Sequence, residues 1–185
     1  MNGLRSKQKM RILQVNSRDT KGGAANVAHN LHRAYQSKGL ESFLLVGEKE
    51  TDDPRILPVN HNKYKSLLTK QLLVLSRKFA EKSSQIRGLG RISKLFQFIA
   101  EFPRDLNLYL GREDFYAPGT THILEMVDGP VDILHLHNLH KSWLKERTEI
   151  FDLRALSQLS KIVPIVMTLR DAWLLSGHCA QLPRG

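Results

Sequence analysis

The stretch from Met10 to Val46 constrains the fold more than any other part of the chain. Residues 10–15 (MRILQV) form a short apolar run that reads as a buried strand. Residues 16–23 (NSRDTKGG) are turn formers ending in Gly22-Gly23. From Ala24 the pattern turns helical, with Val27, Leu31, Ala34 and Tyr35 on one face and Lys38-Gly39 as the stop. Residues 42–46 (SFLLV) are a second buried strand. Strand, glycine loop, helix and strand in so short a span make a βαβ unit. Such a unit requires a parallel sheet covered by helices.

The pattern downstream agrees. Residues 56–59 predict a short edge strand after a proline-containing loop. Leu67, Leu68, Leu72, Leu75 and Phe79 recur at helical spacing, as do Ile92, Leu95, Phe96 and Ile99, with Gly88-Leu89-Gly90 between the two helices. A third helix is expected over residues 120–126, a strand over 131–136 (VDILHL), a short helix over 152–159 and a strand over 162–169 (IVPIVMTL). The fold class is therefore α/β: a Rossmann-like open parallel sheet with a basic helical insertion at 61–127. Residues 1–9, polar and basic with no apolar stretch behind them, read as a disordered leader rather than a signal peptide. The domain runs over 10–185, and its C-terminus reads as a break, because no helix closes the last strand.

Charge is unevenly spread. The chain of 185 residues has a net charge of +10. Between His61 and Arg112 stand eleven Lys or Arg residues and three acids, so nearly all the excess lies there. Leu and Phe positions flanked by Lys and Arg match helices that lie on anionic membranes, and they equally match a solvated face with an apolar seam. Nucleic acid is not an expected partner, since no aromatic interleaving or reading motif accompanies the charge. Cys179 is the sole cysteine, so no internal disulfide forms, and no apolar run reaches membrane-spanning length. A cytoplasmic protein is the simplest expectation.

In open parallel sheets ligands bind beyond the C-terminal ends of the strands. Three loops reach that edge: 16–23, 137–141 and 170–178. In the first, Gly22 and Gly23 precede a helix start, where backbone N–H groups attract phosphate, although the same pair serves equally as a tight turn. A G-x-G-x-x-G fingerprint is absent, which argues against a dinucleotide. In the second, His135 and His137 share a strand face and His140 follows. No third ligand has supporting spacing, so core or rim histidines are favoured over a metal site. His137 and Asn138, at the strand's end, suit hydrogen bonds to hydroxyls. In the third, Arg170, Asp171 and Trp173 place a guanidinium, a carboxylate and an indole after a strand, fit for phosphate contact, ring stacking or plain packing. The neighbours His178 and Cys179 read as structural.

Three segments carry a family resemblance. MRILQVNSRDTKGGAANVAHNLHRAYQSKG, VDILHLHNLH and PIVMTLRDAWLLSGHC resemble the N-terminal domain of the family 4 retaining glycosyltransferases, of the kind in bacterial surface-polysaccharide assembly. The resemblance covers about residues 10–50 and 128–180, and the last segment is the most specific. It implies a GT-B architecture, two Rossmann-like domains facing a cleft. The first receives a glycan or lipid-linked acceptor. The second, with its paired-glutamate motif, binds the nucleotide-sugar and has no counterpart here. By that resemblance Gly22 and Gly23 approach the donor diphosphate, and His137, Asn138, Arg170, Asp171 and Trp173 line the cleft. The nucleotide-sugar is a co-substrate, and neither cofactor nor metal is implied. Arg170 stands where the family carries histidine, so no catalytic residue transfers by position. The resemblance also implies an isolated domain that does not turn over, and a place at the inner membrane face. A non-catalytic Rossmann-like module for a nucleotide or phosphorylated ligand remains the alternative.

Overall fold

The computed structural model describes residues 9–109, 117–139 and 151–170. Five parallel strands form its single sheet: β1 (Arg11–Arg18), β2 (Glu41–Glu48), β3 (Ile56–Pro58), β4 (Ile133–Leu136) and β5 (Ile165–Met167). Their order across the sheet is β3-β2-β1-β4-β5. The chain steps outward from β1 through β2 to β3, then returns to pair β4 on the other side of β1. That reversal leaves a crevice between β1 and β4, the usual ligand position in such sheets. The α/β Rossmann-like arrangement expected from the βαβ pattern is therefore present.

Alternation along the central strands assigns each side chain to a face. Leu13 and Val15 pair in register with Leu45, Leu134 and Leu136, and all five are fully buried. They pack with Ile123, Phe151, Ala155, Leu159 and Val163 in the larger core cluster. The opposite face carries Leu44, Val46 and Ile56 against Ala28 of α1 (Gly23–Ser37), and beside them a set of buried polar groups.

Helix α1 buries Ala25, Ala28 and His32 rather than the anticipated face of Val27, Leu31, Ala34 and Tyr35, of which Ala34 is exposed. Two alanines let the helix backbone lie close to the sheet. His32 is tolerated inside because both ring nitrogens have partners. The helix ends where Gly39 (φ 78°) donates to Gln36 O and Leu40 donates to Tyr35 O, a left-handed stop that favours glycine.

Several boundaries differ from the periodicity reading. β1 runs three residues further, to Arg18, because Asn16 and Arg18 stay in register with Val46 and Glu48. The segment Thr120–Met126 is a 3-10 helix broken at His122, and the helix expected over 152–159 is a 3-10 turn, Leu153–Ala155, running into one α turn, α4 (Leu156–Leu159). β5 is shorter than 162–169: Ile162 and Val163 donate back to Leu159 O and so close α4 instead of extending the strand.

Two further helices are α2 (Leu67–Glu81), capped by Ser66 accepting from Thr69 N, and α3 (Leu89–Tyr109), which begins after Gly88 (φ 100°) and takes Gly90 inside it. They pack chiefly on each other. Ser76 Oγ donates to Ser93 O at 2.9 Å and Ser93 Oγ donates to Ser76 O at 2.8 Å, so two small residues bring the backbones together. Phe79 stacks on Phe96 beside them. Leu67, Leu68, Leu75, Leu95, Phe98 and Ile99 remain exposed. Among the described residues no helix is long and apolar enough to cross a membrane.

Candidate functional site at the strand reversal

The crevice is stitched together by β1. Val15 O accepts from His137 N at 2.9 Å, and Asn16 Oδ1 accepts from Asn138 N at 3.1 Å. Asn16 also donates through Nδ2 to Arg18 O, which holds the fully buried amide in place. His137 and Asn138 thus leave β4 with their backbone tied to the neighbouring strand.

The side chains behind them are polar and buried. His137 is 3% exposed and its Nε2 lies 2.9 Å from Gln14 Oε1. His135, also buried, spans Thr168 Oγ1 on one side (2.8 Å) and the Tyr35 hydroxyl on the other (3.3 Å). The two imidazoles sit 4.0 Å apart, tilted by 39°. Burial lowers the pKa of both. For His137, burial, then His135, then the Arg170 guanidinium lower it to about 3, so the ring is neutral at physiological pH. For His135 burial comes first and Arg170 second. Arg170, itself exposed, follows β5 at the same end of the sheet. Two buried atoms in this group, His137 Nδ1 and Asn138 Oδ1, have no hydrogen-bond partner among the described residues.

The glycine loop stands at the end of the same β1 strand. Gly22 caps α1 with φ 121°, where no side chain bonds the helix start and no acid lies in the first turn. No described residue lies within 4 Å of where a Cβ would sit on Gly22 or Gly23. The first-turn N–H groups of α1 therefore lack a side-chain cap, an arrangement suited to an anion. The loop is latched from behind. The fully buried Asp19 accepts from Glu50 N (3.0 Å), Thr51 N (2.8 Å) and Thr51 Oγ1 (2.6 Å). Glu50 returns the contact to Thr20 Oγ1 and Lys21 Nζ. Burial pushes the Asp19 carboxyl up, but the hydrogen bonds from Thr51 and Glu50 together outweigh it and hold its pKa below the usual value. Lys21 sits in the left-handed region (φ 59°), a strained conformation that the latch maintains.

Of the residues singled out in the sequence, His137, Asn138 and Arg170 gather at the ends of β4 and β5, and Gly22 and Gly23 follow β1 next to β4. Asp171, Trp173, His140, His178 and Cys179 lie outside the described residues. Among the described residues no group of three His, Cys, Asp or Glu side chains could hold a metal ion. Sequence reading missed Gln14, Asn16, Asp19, His32, Tyr35 and Thr168. A signal was available for the first two: polar residues at every second position of an otherwise apolar strand, the same alternation that His135 and His137 show in β4, 123 residues on from Gln14 to His137.

The chain is 29% identical over 171 residues to WcaC of Escherichia coli (strain K12), provisionally named a colanic acid biosynthesis glycosyl transferase. The chain is similar to a glycosyl transferase. The alignment takes in 92% of this chain and 36% of WcaC, so the chain spans about a third of that relative's length. The similarity agrees with the resemblance to polysaccharide-assembly glycosyltransferases read from the three motifs. No family model matches the chain, and no solved structure matches it.

Proposed function

We propose that the chain is the acceptor-side, Rossmann-like part of a retaining GT-B glycosyltransferase, moving a sugar from a nucleotide-sugar to a glycan or lipid-linked acceptor. The observation that carries this reading is the meeting, at one strand reversal, of a helix start without a side-chain cap and two unpartnered buried acceptors, in a chain similar to a glycosyl transferase. The α1 start at Gly22-Gly23 suits the donor diphosphate. The acceptors on His137 and Asn138 suit sugar hydroxyls. Arg170 brings a permanent positive charge toward the leaving phosphate, where fixed charge aimed at a developing anion lowers the barrier. Asp171 and Trp173 follow it in sequence and complete the cleft wall in this reading. A second domain supplies the main grip on the donor, so this chain alone binds it weakly and does not turn over.

The α2–α3 hairpin rests on the inner face of an anionic membrane. It leaves Leu67, Leu68, Leu95 and Phe98 uncovered among Lys70, Arg77, Lys78, Arg91 and Lys94, and each such cation near an anionic surface contributes about 1 kcal/mol. This location gives access to lipid-linked acceptors from the cytoplasmic side. Changing those five cations to Gln should abolish co-sedimentation with anionic vesicles without unfolding the chain. Equal sedimentation of both proteins would refute it.

Transfer is tested by assaying the longest protein that contains this chain against a panel of nucleotide-sugars, with the chain alone in parallel. Turnover by the former and none by the latter is expected. A folded longer protein that neither transfers nor hydrolyses any donor would sink the reading, and turnover by the chain alone would sink the divided cleft.

A further inference from the structure

Behind His137 the polar groups form one continuous buried line. His137 Nε2 meets Gln14 Oε1 at 2.9 Å, and Gln14 Nε2 meets Ser42 Oγ at 3.1 Å. Ser42 Oγ meets His32 Nδ1 at 2.9 Å, and His32 Nε2 faces the Asp53 carboxylate at 3.7 Å. Gln14, Ser42 and His32 are each fully buried, and the line crosses from β4 over β1 and β2 to α1. Every link needs one donor and one acceptor, so a donor fixed at the Asp53 end sets each link in turn. Asp53 sets that direction by charge: at 3.7 Å it is beyond hydrogen-bond reach, but its carboxylate favours a proton on the facing nitrogen. The His32 proton then sits on Nε2, and His32 Nδ1 accepts from the Ser42 hydroxyl. Ser42 accepts from the Gln14 amide, and Gln14 Oε1 accepts from His137 Nε2–H. The Gln36 amide, 2.7 Å from His32 Nε2, turns its oxygen to that proton, since amide oxygen and nitrogen exchange by a flip.

We propose that this relay from Asp53 fixes His137 as its Nε2–H tautomer and so presents the bare Nδ1 lone pair to a ligand hydroxyl. Gln14, Ser42, His32 and Asp53 are positioning residues; none touches the ligand. Nδ1 is buried and unpartnered, and the neighbouring Asn138 Oδ1 is a second acceptor in the same condition. A pair of acceptors selects O–H or N–H donors and disfavours phosphate, which is itself an acceptor. The site at the end of β4 therefore takes the hydroxyl-bearing part of a ligand, and the glycine loop takes its anionic part. The naming of that ligand as a sugar rests on the proposed glycosyl transfer. The relay does not.

Nitrogen-15 NMR of the imidazole side chains reads the tautomer directly. The ligand-free chain at neutral pH should show His137 with a protonated Nε2 and a pyridine-type Nδ1. Asp53→Asn removes the directing charge at a partly exposed side chain, and Gln14→Met removes the middle link. Both should give mixed tautomers. A wild-type Nδ1–H tautomer, or a pure Nε2–H tautomer in both folded variants, would overturn the relay. Titration with UDP-glucose and GDP-mannose, with UDP and GDP as controls, tests the ligand. An upfield movement of Nδ1 with a nucleotide-sugar alone is expected, and affinity should fall in Gln14→Met in proportion to the Nε2–H tautomer that remains, about twofold for an even mixture. An intact tautomer that no nucleotide-sugar moves would overturn the hydroxyl assignment while leaving the relay standing.

Discussion

The two faces of the sheet are built by the same strands at the same depth, yet they differ in kind. On one face Leu13, Val15, Leu45, Leu134 and Leu136 meet Ile123, Phe151 and Leu159. On the other, residues one position along present Gln14, Asn16, Ser42, His135 and His137, all buried, beside the apolar Leu44, Val46 and Ile56. Apolar contacts have no preferred direction, so the first face asks only for the right volume. Buried polar groups must be matched donor to acceptor, and each mismatch is costly. A fold that needed only stability would fill both faces with leucine. The polar face is retained where the strand order reverses, and it is there that acceptors remain unmatched. The contrast separates what holds the domain together from what it does.

Truncating the apolar face should have the largest effect. Leu136→Ala removes a fully buried side chain and should cost about 2–5 kcal/mol in urea denaturation, with the tautomer of His137 unchanged. A cost below about 1 kcal/mol would mean that this face is not the cohesive one. Gln14→Met on the polar face should cost less, about 1–3 kcal/mol, because it strands His137 Nε2 and leaves the Ser42 hydroxyl only its bond to His32, without adding a cavity. If it stabilised the domain instead, the polar line would be dispensable to the fold and retained for function alone, which sharpens the same contrast.

Acid should act on the polar face selectively. His32, His135 and His137 all have pKa values lowered in the folded state, first by burial. The unfolded chain therefore binds more protons than the folded one below about pH 6.5. Stability is full above that pH and falls as pH drops toward the folded value, about 3 for His137. Each histidine contributes a slope of up to about 1.4 kcal/mol per pH unit inside its window. His137→Gln should flatten the curve between pH 6 and pH 4, in approximate terms by one proton's slope. An unchanged slope would show that His137 is not held neutral. The smallest effect is expected in the loop. Gly22→Ala, at φ 121°, should cost about 1 kcal/mol, whereas Gly23→Ala should leave stability nearly unchanged and weaken binding of the anionic part of the ligand.

Much of this contrast was legible in the chain, but unequally. The apolar face was readable from MRILQV, SFLLV and VDILHL, because apolar runs of strand length announce themselves. Five strands in a parallel sheet follow from the βαβ pattern and its resumption after residue 127, but the order of the strands and the reversal at β4 do not. The polar face was readable only in pieces. His137 and Asn138 could be placed at a strand end. Gln14, Ser42 and His32 could not be linked to them, since partners 28 and 123 residues apart in sequence leave no local spacing. Asp19 was hidden for the same reason: its partners, Glu50 and Thr51, come from the loop beyond β2. The face of α1 was misread because helical periodicity favours Val and Leu, whereas close approach to the sheet selected Ala25 and Ala28, and paired hydrogen bonds admitted His32. The extent of α3 past Ile99 was hidden because Pro103, which reads as a helix end, stands inside it, although Phe98, Phe102 and Leu106 recur at i, i+4 and i+8.

The division between the faces is tested most directly by mapping backbone and side-chain NMR shifts while a panel of nucleotide-sugars is added to the chain. The account predicts changes at Gly22, Gly23, His135, His137, Asn138 and Arg170, with Leu13, Leu45, Leu134 and Leu136 unmoved. Changes centred instead on the apolar face, or on the polar hollow at the far end of the sheet lined by Gln36, Glu41 and Arg55, would contradict it.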